Sequence, residues 1–137
     1  MRKPILLCAA AMATGCGTFP YPANPPPAEP VQESPEAYGA RVNQRLNAGL
    51  TRLYGLPIQN AIAFLGYPDA QQVIAGDTVY RWNNLVTIPG YGQFPSVQIS
   101  CAIQIGTDRD ALVKNTHVDG QVGACAKFAN DFPAPQN

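Results

Sequence analysis

Residues 97–105 read Val97-Gln98-Ile99-Ser100-Cys101-Ala102-Ile103-Gln104-Ile105. Successive side chains of a strand point to opposite faces, so Val97, Ile99, Cys101, Ile103 and Ile105 share one face. Gln98, Ser100, Ala102 and Gln104 share the other. One apolar and one polar face is the pattern of an antiparallel sheet covered on a single side. The neighbouring sequence supplies both the other strands and the cover.

Upstream, residues 71–75 and 78–85 flank Gly76-Asp77, a two-residue turn of the Gly-x type, and read as a hairpin. Tyr80 and Trp82 fall on one side of its second strand, Val79 and Arg81 on the other, and Trp82 reads as core. Downstream, residues 106–110 turn the chain and 111–118 return as a fourth strand. Residues 120–123 turn again, 124–132 read as a short final helix or coil, and 133–137 as a tail.

The cover comes from the N-terminal side. Ser34 caps a helix with Pro35 at its first position and Glu36 at the positive end of its dipole. Tyr38, Val42, Leu46, Leu50 and Leu53 then recur at helical spacing, with Arg41, Arg45 and Arg52 off that stripe on the solvent side. Gly55 ends the helix. A second helix spans 57–65, buries Ile58, Ala61, Ile62 and Leu65, and stops at Gly66 before Tyr67-Pro68. The fold class is therefore α+β: two N-terminal helices packed on a small antiparallel sheet of three to four strands, in one domain over residues 36–132.

Two readings stand for the connection 87–96, which carries Pro89-Gly90-Tyr91-Gly92 and Phe94-Pro95. Tyr91 and Phe94 are partner-binding candidates on a loop, where binding residues concentrate. Alternatively the strands extend and the two rings form a lid over the end of the sheet.

The chain of 137 residues has 9 basic and 9 acidic side chains. No Lys/Arg run or basic face is available, so nucleic acid is not an expected partner. Residues 17–35 hold seven prolines, including Pro25-Pro26-Pro27. Such a segment favours extended polyproline II and reads as a tether reaching roughly 55–60 Å. Before it lie Arg2 and Lys3, an apolar run from Ile5 to Ala13, small residues, and Cys16. The run is too short to span a bilayer and reads as a secretory signal over residues 1–15, ending at a cysteine.

Of the four cysteines, Cys8 leaves with the signal. Cys101 and Cys125 remain as an even pair in an exported chain and read as one disulfide. They cannot complete a zinc site with His117 alone, and no metal or cofactor is expected. No catalytic constellation appears: His117 is the single histidine, no nucleophile elbow exists, and Asp108-Arg109-Asp110 lacks the further ligands of a calcium loop.

Ala13-Thr14-Gly15-Cys16 resembles the lipobox of bacterial lipoproteins, with Ala13 where Leu is usual. That resemblance implies a diacylglycerol thioether on Cys16, cleavage before it, and acylation of the new amine. Gly17, not Asp, then implies the outer membrane, periplasmic face. A second resemblance rests on Gly55-Leu56-Pro57, Ala61-Ile62, Leu65-Gly66-Tyr67-Pro68-Asp69, residues 76–82, Cys101, Gly120 and Gly123-Ala124-Cys125. Together these look like the small outer-membrane lipoproteins of the SmpA/OmlA (BamE-like) type, nearer to a disulfide-containing branch than to its best-known member. The resemblance implies helices on a sheet similar to the repeat of β-lactamase inhibitor protein. It also implies a non-enzymatic, lipid-anchored scaffold or accessory subunit of an outer-membrane assembly, with an envelope protein as partner. An inhibitor or small-ligand-binding module, or a periplasmic lipoprotein of another role, are the alternatives.

Overall fold

The computed structural model describes residues 30–134. The signal at 1–15, Cys16 and most of the tether lie outside the described residues. A compact unit begins at Gln32. Its elements run α1 (Pro35–Thr51), α2 (Ile58–Leu65), β1 (Ala70–Ile74), β2 (Asp77–Ile88), β3 (Val97–Thr107), β4 (Val113–Gly120) and α3 (Val122–Asp131). The strands form an antiparallel meander in the order β1-β2-β3-β4. The α+β class is as expected, and residues 124–132, read as helix or coil, lie mostly in a third helix, α3.

Local chemistry sets the boundaries. Ser34 Oγ accepts a hydrogen bond from the Ala37 N–H at 3.2 Å, satisfying an otherwise orphaned first-turn donor of α1. Just before it, Glu33 forms an ion pair with Arg41 at 2.7 Å. The guanidinium's hydrogen bond holds the Glu33 carboxyl below the ordinary carboxylate range. The β1–β2 turn is Ala75-Gly76, not Gly76-Asp77, because Asp77 pairs with Ile74. Both turn residues have positive φ, 51° and 85°, the mirror-image turn whose twist matches the flanking strands. That choice forces an alanine into the left-handed region.

The placement of the helices differs from the expected cover of two N-terminal helices. Helix α3, from the far end of the chain, lies against β2 and β3, and α1 lies against α3. Gly39 of α1 faces Val122, and Gly49 faces Phe132, so α1 and α3 run parallel. Any Cβ on Gly49 would collide with the Phe132 ring, which is fully buried there. Residues 55–58 are stitched beside the start of β4. Gly55 N–H donates to Val113 O at 2.8 Å, Val113 N–H to Leu56 O at 2.9 Å, and Ile58 N–H to Ala111 O at 3.0 Å.

One core results, from Val42, Leu46 and Leu50 of α1, Ile58, Ala61 and Leu65 of α2, Trp82, Ile103 and Ile105 of the sheet, and Phe128 of α3. Trp82 is core, as its position in the alternation implied, and its indole N–H donates to Gly66 O at 2.8 Å, capping the end of α2. Cys101 and Cys125 form a disulfide, with Cα atoms 5.1 Å apart, tying β3 to α3. Arg45 is not on the solvent side. It is half-buried, and Nη2 donates to Phe132 O at 2.8 Å, placing its charge at the negative end of α3. A periodicity count on α1 alone cannot see a neighbour that arrives 87 residues later. No helix among the described residues is long and apolar enough to cross a membrane.

Candidate functional site

The strands β2 and β3 pair continuously from Thr78 opposite Thr107 to Ile88 opposite Val97. β4 pairs with β3 only between Cys101 and Thr107. Residues 97–100 therefore have β2 as their single partner strand, and the hairpin projects beyond the sheet as a two-stranded ribbon. At about 3.4 Å per residue, four residues add roughly 13 Å before the connecting loop begins. That loop is residues 89–96, shorter than the expected 87–96 because β2 runs on to Ile88, while β3 begins at Val97 as expected.

The loop is built to hold its shape. Phe94 N–H donates to Tyr91 O at 3.1 Å. Gly90 lies so close to the Phe94 carbonyl that a Cβ there would collide with it. The two rings point away from the sheet: Tyr91 is 90% exposed and Phe94 70%. Rings this exposed do not close the end of the sheet as a lid would. The ribbon adds Leu85 at 63%, Ile88 at 47% and Val97 at 53% to the same end. These three were not among the candidates. The signal that finds them is the absence of charge: no Asp, Glu, Lys, Arg or His occurs in the 26 residues from Trp82 to Thr107.

The outer face of the sheet, opposite the helices, carries a different surface. An open groove of about 640 Å³ runs over the small residues Ser100 and Ala102 of β3, between Arg81, Asn83 and Asp119. Arg81 Nε donates to Asn83 Oδ1 at 2.9 Å, and Asp69 accepts from the Asn83 N–H at 2.6 Å. His117 lies on this face, exposed, across from Gln104. Asp108 turns its carboxylate onto the chain, accepting from the N–H groups of Asp110 and Leu112, both at 2.9 Å. Its oxygens hold a turn in which Ala111 has φ of 61°. Among the described residues no three His, Cys, Asp or Glu side chains come together as a metal site would require.

Chemically, then, the described domain offers a groove of mixed lining, where Arg81, Asn83 and Asp119 stand beside Leu85 and Ala102, and an uncharged aromatic tip. A contiguous exposed apolar patch is unusual on a soluble surface and marks a place of contact. Ile88 and Val97 are cross-strand partners on one face of the ribbon, next to the exposed Tyr91 and Phe94, whereas Leu85 lies on the other face and lines the groove. Compared with known proteins, the chain matches no family model, no curated protein and no solved structure.

Proposed function

We propose that the chain is a lipid-anchored, non-enzymatic envelope protein, a scaffold or accessory subunit of an outer-membrane assembly, with an exposed contact surface at the tip of its β2–β3 hairpin. The observation that carries this reading is the tip itself: five exposed apolar side chains on a ribbon without charge. A sheet end with no contact to make is ordinarily blunted by charge or covered. The reading is supported further by the basic, apolar and small residues leading to Cys16, and by the proline-rich spacer behind it. The α+β class, helices with one four-stranded antiparallel sheet, is also the class that the resemblance implies.

The anchor supplies location and the tip supplies contact. Two or three acyl chains at Cys16 hold a protein to a bilayer where one chain binds only marginally. Cys16→Ser tests this. The parent chain is expected in the membrane fraction with an acylated N-terminal peptide, and Cys16→Ser in the soluble fraction or as uncleaved precursor. Membrane fractionation of Cys16→Ser with an unchanged mature mass overturns the reading.

A further inference from the structure

The hairpin tip and the point where the tether enters the domain lie at the same end of the molecule. β3 runs away from the tip, β4 returns toward it, and α3 starts beside Cys101, where Gln121 exchanges hydrogen bonds with Ser100 at 2.9 Å. α1 runs parallel to α3, with Gly39 beside Val122. Ser34, the cap of α1, is thus at the tip end. Four residues of helix separate Gly39 from Pro35, roughly 6 Å at 1.5 Å per residue, so the ribbon reaches past the start of α1. Whatever holds the proline-rich chain holds the domain by its tip end.

We propose that the tip is a membrane-contact site: Tyr91 and Phe94 seat in the boundary between headgroups and acyl chains of the bilayer to which the tether leads. This rests on the lipid-anchor reading above, and gives the anchored domain a second point of attachment. Two observations favour a bilayer as the occupant. The 26 residues from Trp82 to Thr107 hold no charge, so no ion must be desolvated when the tip enters the interface. Its most exposed ring is a tyrosine, whose apolar body and polar hydroxyl suit the headgroup level, with Phe94 three residues away. The loop backbone limits the depth. Its free N–H and C=O groups cannot enter hydrocarbon, so insertion stops at the boundary, about 5–10 Å deep. The length of the tether, about 3.1 Å per residue when extended, leaves slack for the domain to settle on the surface.

The test places a tryptophan at the tip. Trp82 is buried and gives a constant background. Tyr91→Trp is made in the full chain, matured and reconstituted in phosphatidylcholine vesicles with and without brominated acyl chains. Tyr67→Trp, at a site 88% exposed near the edge strand β1, is the control. Emission from position 91 should shift to the blue and lose roughly half its intensity to the bromines at boundary depth, while position 67 loses little. Replacing the neutral lipid with phosphatidylglycerol, or raising the salt, should change neither result. A vesicle-bound, acylated chain whose position 91 is not quenched overturns the tip proposal and leaves the anchor reading standing. A requirement for anionic lipid overturns it as well, as does a photocrosslinker at 91 that captures one envelope protein and no phospholipid in cells. If the mature chain carries no lipid, the anchor reading falls. The same variant titrated with vesicles then decides the tip alone: quenching supports the proposal and none at lipid saturation overturns it.

Discussion

The two halves of the β2–β3 ribbon share one alternation and have opposite fates. In the half next to the β3–β4 turn, Ile103 and Ile105 are completely buried beside Trp82. In the half next to the loop, Val97 and Ile88, on the same face, are about half exposed, at 53% and 47%. The alternation is continuous across both halves, and so is the backbone pairing. What differs is cover. α3 begins at Val122, beside Ile99, and runs away from the tip, so no helix crosses the outer half of the ribbon. An apolar pattern therefore marks a face that needs covering, and the chain itself covers only half of it.

Deleting side chains in each half should break the symmetry most visibly. Ile103→Ala leaves a cavity in a closed core and should cost about 2–5 kcal/mol in urea unfolding. Val97→Ala, the same kind of truncation on the same face, should change stability by less than about 0.5 kcal/mol. Similar costs at both positions would mean that the ribbon end is covered in solution.

The disulfide fixes where the closed half stops, since it ties β3 to the first turn of α3. Cys101→Ala or Cys125→Ala should each cost about 2–5 kcal/mol, and the double variant little more than either single change. Labelling of both thiols in native, non-reduced protein would contradict the pairing.

The smallest effect contrasts the two tight connections of β2. The loop at 89–96 has glycine at its crowded point, whereas the β1–β2 turn puts Ala75 at φ of 51°. Asparagine tolerates that region and is favoured before glycine in this turn type, so Ala75→Asn should add about 0.5–1 kcal/mol. A lower melting temperature would show that the alanine conformation is not strained.

Much of the fold was legible along the chain because its cues are local. Ser34 and Pro35 start α1 through a cap and a fixed φ, and Gly66 ends α2. The alternation at 97–105 assigns faces through the geometry of a strand. Less local features were misread. The turn shifted by one residue because pairing of Ile74 with Asp77 outweighed the preference for glycine in the first turn position. Arg45 looked solvated because its partner carbonyl belongs to Phe132. Gly49 gave no cue of its own, and its role becomes visible only when the Phe132 ring is packed on it.

For the candidate site the division is the same. The sequence by itself determined that Tyr91 and Phe94 sit on a glycine- and proline-rich connection, that no charge accompanies them, and that Cys101 has Cys125 as its natural partner. Only the tertiary structure decided that the two rings project instead of closing the sheet. It also decided that Leu85, Ile88 and Val97 are exposed near them, and that α1 starts at the same end of the domain. The reason is physical: exposure and proximity depend on where α3 begins relative to the ribbon, and that is set by packing between elements far apart in the chain.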